Sequence, residues 1–397
     1  MTVEIASLHY LFSFDNRLGG AIHAALNVCK YLAISGAPTE ALAPYFAGED
    51  HSQLKDLYSD FRCHRVAGCP PKQLWNSREV TGWIAQNSHR FSIVELHGIW
   101  SLATTKVARA CVASGIPYLV RPHGSLDPFD LQKKVWLKRL LGPLLIKKML
   151  QQSAGVVCTA ALEAERLVTY GASTAKYVMP LPVPLIETAG NRDNFRRKHG
   201  IPLDAQVVLF LSRIDYKKGL NFLIPALGKL KTDFPNLWFV LAGTGTDEYV
   251  SKVDTWIADN GIRSWTSQVG FVFGQDKQDA FAASDLFALP SLNENFGIVN
   301  IEAMHAGLPL VISDQVYIHR EIEEASAGMI CQPSTSSVIA VMRRALKEPD
   351  FLQRMGQAGA NLVQERYRPD AATQTLKRLY ETIVSKDQAS SQKRNLR

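Results

Sequence analysis

Residues 293–311 read NENFGIVNIEAMHAGLPLV, and this stretch decides how the rest of the chain is read. The segment before it, DLFALP at 285–290, has the composition of a short buried strand stopped by a proline. Residues 291–295 form a polar turn, and a helix is expected from about Gly297 to Gly307. Two carboxylates, Glu294 and Glu302, bracket the start of that helix. At about 100° per residue, Glu302 points between Ile298 and Val299, while Asn300, Ala303 and Met304 occupy the other side. No side of the helix is clearly polar, so two readings of Glu302 stay open. It is either an exposed helix glutamate, the usual fate of that residue, or a semi-buried carboxylate that needs hydrogen-bond donors. In the second reading the donors are hydroxyls of a polyol ligand. The free N–H groups of residues 296–298 at the helix start suit a phosphate. Phosphate at one end and hydroxyls at the other describe a nucleotide sugar.

Outward from this stretch, short apolar runs alternate with longer helical patterns. Strands are expected at 3–10, 93–97, 118–121, 156–158 and 177–179, then at 207–212, 237–242, 267–272, 286–289 and 308–312. Helices fall between them, for example at 21–34 and 104–114. This alternation predicts an α/β fold of parallel sheets covered on both faces, in two doubly wound Rossmann-like domains. The sequence PLPVP at 180–184 can continue neither a helix nor an inner strand and marks a hinge. The expected division is a first domain at 1–182, joined by a C-terminal helix at 370–384, a second domain at 183–369, and a flexible tail at 385–397. In this architecture ligands bind at the carboxyl ends of the strands, here in a cleft between the two domains.

Composition sets outer bounds. A chain of 397 residues with 46% hydrophobic and 20% charged residues is globular and long enough for two cores. The formal charge of +7 suits anionic partners, among which phosphate-bearing ligands and anionic membranes count as much as nucleic acid. Six scattered cysteines with no CxxC pair signal neither a zinc site nor a disulfide framework. The opening MTVEIASLHYLF is not a signal peptide, and no apolar run is long enough to span a bilayer. The expected compartment is the cytoplasm.

Several motifs lie where such folds place their chemistry. RIDYKKG at 213–219 follows the first strand of the second domain, with Arg213 at the strand end and Lys218 before a new helix. Two cations there suit a departing diphosphate, or else form a solvated basic loop. Gly19 and Gly20 sit between the first strand and first helix, where backbone can approach a phosphate. The full GxGxxG fingerprint is absent, as is the acidic residue expected after a second strand. RPHGSLDPF at 121–129 ends a strand at His123, either a group facing a ligand or a structural histidine; His97 in VELHGIW has a weaker claim. LAGTGTDE at 241–248 is read only as a turn.

Taken together, ALPSLNENFGIVNIEAMHAGLPLVISD (288–314), RIDYKKG, RPHGSLDPF and TAALEAE (159–165) resemble the retaining glycosyltransferases of family 4, the group 1 glycosyltransferases, which have the GT-B fold. The resemblance runs from Gly19 to about Tyr380. It implies that Glu302 binds the ribose hydroxyls of the donor. It implies that Glu294 and the N–H groups of Asn295, Phe296, Gly297 and Ile298 hold the donor sugar and diphosphate. Arg213 and Lys218 neutralise the diphosphate, Gly19 and Gly20 approach it, and His123 contacts the sugar. The sequence VMPLP at 178–182 departs from the Pro-Asn-Gly of many relatives, so a contact from that loop does not carry over.

The implied reaction moves a hexosyl group from a nucleoside diphosphate sugar to a hydroxyl of a glycan or lipid-linked glycan, with retention, in polysaccharide or glycolipid biosynthesis. No cofactor is implied beyond the donor substrate. The chain contains no DxD, so metal bridging of the diphosphate is not expected. The alternatives are a GT-B-shaped epimerase or phosphorylase, or a basic nucleic-acid-binding protein, whose cations should cluster with aromatics on one surface. No nucleic-acid partner is expected. Finally, residues 133–148 carry six cations and no acid, interleaved with Trp136 and aliphatic residues. They are read either as two packed helices, interrupted at Gly142-Pro143, with solvated lysines, or as a peripheral contact with the inner face of a membrane.

Overall fold

The computed structural model describes residues 5–395 except 16, 17, 19, 52, 53, 55–57, 71–73 and 134. The chain divides into two compact units, Met1–Val183 with Pro369–Arg397, and Pro184–Arg368.

The first unit is built on β1 (Ser7–Leu11), β2 (Thr39–Tyr45), β3 (Arg62–Cys69), β4 (Asn76–Ser77), β5 (Ile93–His97), β6 (Tyr118–Arg121), β7 (Gly155–Cys158) and β8 (Lys176–Val178). Their order across the sheet is β4-β3-β2-β1-β5-β6-β7-β8. All pairs are parallel except β3 with β4 at the edge. Strands buried on both faces suit this arrangement, and β1, β5, β6 and β7 are buried at every residue. The two faces differ in content. Leu8, Tyr10, Val94, Leu96 and Val120 join an apolar core on one face. The alternate residues His9, Glu95, His97 and Arg121 point the other way.

The second unit is built on β9 (Gln206–Leu211), β10 (Leu237–Ala242), β11 (Thr266–Gly270), β12 (Leu286–Leu289), β13 (Leu310–Ser313) and β14 (Gly328–Cys331). The order is β11-β10-β9-β12-β13-β14, all parallel. This is the doubly wound order, which reverses between β9 and β12 and leaves a crevice outside their carboxyl ends. In the first unit the reversal lies between β1 and β5.

Three local expectations change. Strands β2, β3, β4 and β14 were not anticipated; β2 contains Pro44 and β3 is largely polar, so pairing with neighbours decides them rather than propensity. Gly142-Pro143 does not break the chain into two helices. The helix Val135–Leu141 passes through a π-helical turn, Gly142–Ile146, into Lys147–Gln152. A wider turn accommodates a proline that lacks an N–H. The last helix, expected to end near Val384, runs from Pro369 to Asn395, because no Gly or Pro follows to stop it.

One backbone contact in the second unit fixes the loop after β9. Gly219 has φ +77°, and a Cβ there would lie 1.9 Å from the Pro290 carbonyl oxygen. Gly261 also has positive φ (+65°) but faces open space. Gly261→Ala should therefore cost about 1–2 kcal/mol, the left-handed backbone penalty alone. Gly219→Ala should cost roughly 3 kcal/mol or more, because backbone must also move. Urea unfolding of the two variants checks this; equal losses would show that the loop yields freely.

Candidate active site

In the second unit the carboxyl ends of β9 and β12 converge. After β9, Asp215 caps a 3-10 turn, Tyr216–Lys218, by accepting from the Lys217 N–H at 3.0 Å. The Lys217 carbonyl accepts from the Leu292 N–H at 2.7 Å, which ties this loop to the one after β12. Lys218 is consequently buried, and its Nζ forms an ion pair with Glu294 Oε2. Glu294 is also fixed through its backbone: its N–H donates to Gln315 at 3.0 Å and its carbonyl accepts from Tyr317 at 3.0 Å. Gly297 then turns the chain, with φ +71° and ψ +66°, into the helix Ile298–His305. The first N–H groups of that helix have no partner one turn earlier, which favours an anion in front of them. Phe296 is buried edge-on against Tyr367, with ring centroids 5.7 Å apart, so its side chain anchors the turn and only its backbone is available.

Glu302 sits on the same helix, half-buried, and accepts from Lys277 Nζ at 2.5 Å. Lys277 belongs to the helix Gly274–Ala282, which follows β11. The semi-buried reading of Glu302 therefore describes the side chain, and a lysine already supplies one of its donors. Arg213 is exposed and has no hydrogen-bond or ion-pair partner among the described residues.

In the first unit, the polar face of the sheet holds a connected network. Glu95 on β5 is fully buried; Oε1 accepts from Arg121 Nε and Oε2 from Tyr380 Oη, both at 2.5 Å. Burial alone would raise its carboxyl pKa, but Arg121 and the hydrogen bonds hold it below the usual range. Tyr380 moves far above its ordinary value through burial and the nearby carboxylate. Beside this pair, His9 Nδ1 lies 3.0 Å from His97 Nε2, and His97 Nδ1 lies 3.0 Å from His123 Nε2. Burial lowers all three imidazoles: His9 to about 4, His123 to about 3, and His97 well below its ordinary value. His123 closes the loop after β6 with φ +50°, a strained value for a residue with a Cβ. The next N–H, of Gly124, donates to Glu163 Oε1 at 2.7 Å, and Glu163 also receives the N–H and hydroxyl of Thr159. Burial raises the Glu163 pKa against those hydrogen bonds.

His9, Glu95 and His97 have the spacing of a metal site, with one ligand atom each within 4.8 Å of the others. The carboxylate is already committed on both oxygens, to a guanidinium and a phenol. A second cation against Arg121 is unfavourable, so the trio reads as a hydrogen-bonded network. A cavity of about 630 Å³ in the second unit, lined by Ala205, Gln206, Asp285 and Pro309, lies at the amino ends of β9, β12 and β13. That is the wrong end of the sheet for the residues above.

The structure thus joins Lys218 with Glu294, adds Lys277 to Glu302, and leaves Arg213 alone. Gly20 starts the helix Gly20–Ile34, and a Cβ added there would meet nothing within 4 Å, whereas Gly19 lies outside the described residues. Sequence reasoning missed Lys277, Glu95, Arg121, His9 and Tyr380. Polar residues inside apolar strands were the available signal for His9, Glu95 and Arg121; Lys277 carried none.

The neutral imidazoles set a pH dependence. An unfolded histidine titrates near 6.5, while His9 and His97 in the folded chain do so well below that. From pH 6.5 down toward 4 the unfolded chain binds more protons, so stability falls with falling pH, by up to about 1.4 kcal/mol per unit per histidine. The lowered Glu95 acts in the same direction at the acid end, and the raised Glu163 opposes it. Urea midpoints between pH 7 and 4.5 should fall steeply, and His9→Gln should flatten the slope. An unchanged slope in that variant would contradict neutral burial of His9.

Residues 191–362 match the family model for group 1 glycosyl transferases, and residues 19–182 match that for the glycosyl transferase 4-like domain. Alpha-D-kanosaminyltransferase of Streptomyces kanamyceticus is 28% identical over 198 residues, half of each chain. Phosphatidyl-myo-inositol mannosyltransferase of Mycobacterium leprae is 31% identical over 189 residues, 47% of this chain and 49% of that one. The chain thus spans about half the length of these curated relatives. Among solved structures, sucrose-phosphate synthase of Thermosynechococcus elongatus aligns with a TM-score of 0.79 at 17% identity, covering 96% of this chain and 99% of that one. Anabaena HepE in complex with UDP-glucose aligns with a TM-score of 0.71 at 18% identity, covering 95% and 100%. With both units matched and both sheets doubly wound, the chain belongs to the group 1 glycosyltransferases, family 4, and has the GT-B fold.

Proposed function

We propose that the protein is a retaining hexosyltransferase that uses a nucleoside diphosphate sugar and a hydroxyl of a glycan or lipid-linked glycan. The observation that carries this reading is the pair of lysine-bound carboxylates, Glu294 and Glu302, at the start and on the body of the helix Ile298–His305. Glu302 accepts ribose hydroxyls, and the helix N-terminus faces the diphosphate. Glu294 holds the donor sugar, and His123 contacts it. Gly20 leaves room for a phosphate oxygen, since no described atom fills that space. The exposed, stacked rings of Phe271 and Phe273, beside the Lys277 helix, offer a surface for the base.

In the reaction the bond from C1 to the phosphate oxygen breaks, and its electron pair stays on the diphosphate. The acceptor oxygen bonds to C1 on the same face, and its proton passes to a phosphate oxygen. Negative charge grows on the leaving group, where Lys218 and the unpartnered Arg213 act. UDP-glucose, the ligand of HepE, is the first donor to try.

Two sets of variants test the donor assignments. Glu302→Ala should weaken nucleotide binding roughly tenfold or more, as hydrogen bonds to a charged group are worth about 1.5–3 kcal/mol. Arg213→Ala should lower turnover more than donor affinity. Isothermal titration and donor kinetics separate the two effects. Unchanged nucleotide affinity in folded Glu302→Ala would defeat its assignment, and an Arg213→Ala loss confined to affinity would defeat the leaving-group role.

The acceptor side includes a membrane contact. No helix of the described residues is long and apolar enough to cross a bilayer. Trp136, Leu140 and Leu144, spaced four apart, are 71%, 60% and 65% exposed. Lys133, Arg139 and Lys148 are exposed among them, and Lys134 lies outside the described residues. Apolar side chains interleaved with cations suit an anionic headgroup layer. Sedimentation with phosphatidylglycerol vesicles should pellet the protein, neutral vesicles should not, and a Trp136→Ala/Leu140→Ala/Leu144→Ala variant should lose most of the binding. Equal behaviour in all three would point to a soluble acceptor.

A further inference from the structure

We infer that Glu95, acting through His97, holds His123 in the tautomer whose Nδ1 is unprotonated, so that His123 presents a hydrogen-bond acceptor to a substrate hydroxyl. The hydroxyl rests on the transferase reading above; the tautomer does not.

The three imidazoles form a chain of two hydrogen bonds, and each neutral ring carries one proton. Only two orderings satisfy both bonds. In one, His9 donates to His97 and His97 donates to His123, leaving the His123 Nδ1 protonated. In the other, His123 Nε2 donates to His97 Nδ1, and His97 Nε2 donates to His9 Nδ1. The two bonds reverse together, so whatever sets the proton on His97 sets it on His123.

Two observations select the second ordering. Glu95 Oε1 lies 3.7 Å from His97 Nε2. A carboxylate beside that nitrogen favours an N–H there and opposes a lone pair. Next, β1 and β5 pair with His9 opposite Glu95, while β5 and β6 pair with His97 opposite Arg121. At His9 the negative influence of Glu95 exceeds the positive influence of Arg121, and at His123 the order is reversed. The local field thus runs from the His123 end toward the His9 end. N–H vectors pointing from His123 through His97 to His9 lie along it. The far nitrogen, His9 Nε2, is buried with no hydrogen-bond partner among the described residues in either ordering, so it ends the chain without setting its direction. Tyr380 stays protonated and donates to Glu95, and burial keeps the nearby Cys29 thiol protonated as well.

The other contacts of His123 are arranged to keep its ring still. Glu163 clamps the Gly124 N–H, which fixes the left-handed turn on which His123 sits. The His123 ring is part exposed, and Nδ1 has no hydrogen-bond partner among the described residues. An acceptor nitrogen held in this way can orient a hydroxyl of the transferred sugar. His9, His97, Glu95 and Glu163 are positioning residues in this scheme.

The test is nitrogen NMR of the full chain labelled with ¹⁵N-histidine at pH 7, with His123 assigned by its loss in His123→Gln. The expected spectrum shows His123 Nδ1 as unprotonated and Nε2 as protonated. In Glu95→Gln the negative charge beside His97 Nε2 is removed while the amide oxygen still accepts from Arg121, so the preference for an N–H on that nitrogen is lost and the fraction of His123 protonated at Nδ1 should rise. A wild-type His123 protonated at Nδ1, or carrying both protons, would overturn the proposal even if Glu95→Gln fails to fold. A folded Glu95→Gln with an unchanged His123 tautomer would overturn the role of Glu95. The measurement uses no donor sugar, so it stands or falls separately from the transferase reading.

Discussion

The Glu95 carboxylate is the constraint around which the first unit is organised. It lies in the centre of a parallel sheet, between β1 and β6, with no exposure to solvent. A charge in that position is tolerable only if it is fully paired and hydrogen-bonded. The fold supplies Arg121 from the neighbouring strand and Tyr380 from a helix 285 residues later. The requirement recruits the end of the chain back onto the first unit, to which Pro369–Arg397 belongs. Removing one member of such a network typically costs about 3–5 kcal/mol, because the rest is left buried and uncompensated. The same carboxylate lies 3.7 Å from His97 Nε2, in the line of histidines.

The two units use one architecture for different electrostatics. Both are mainly parallel sheets whose strand order reverses once, between β1 and β5 in the first and between β9 and β12 in the second. The second unit keeps Glu294 and Glu302 half-buried, each against a lysine. Such pairs hold the side chains in place while leaving capacity for further hydrogen bonds, since a carboxylate accepts at both oxygens. The first unit instead lines up neutral imidazoles, with His9 and His97 buried and His123 part exposed, whose charge is suppressed by desolvation. A neutral imidazole offers one donor and one acceptor without adding a charge to the interior.

Local conformation follows from these demands. Gly219 must be glycine because the loop carrying Lys218 presses against the Pro290 carbonyl. His123 adopts a left-handed backbone although it has a Cβ, and the Glu163 carboxylate holds the turn that stores this strain. The Gly142-Pro143 pair shows the opposite case, in which a helix absorbs a proline by widening one turn. That keeps Trp136, Leu140 and Leu144 on the outside of a continuous helical surface.

The sequence by itself determined the class of fold, because period and run length report burial directly. Apolar runs such as 237–242 and 286–289 coincide with β10 and β12, since fully buried parallel strands leave little room for other residues. The two-glutamate segment was legible for a similar reason: a carboxylate in an apolar helix demands a partner. The sequence did not determine which partner. Lys277 comes from another helix and carries no local mark, and only tertiary packing brings it to Glu302. Strands β2, β3 and β14 likewise exist through pairing with neighbours, not through their own composition. The line from His9 to His123 spans three strands that lie far apart along the chain. Strand order and register, which depend on non-local burial, decided that these rings would meet.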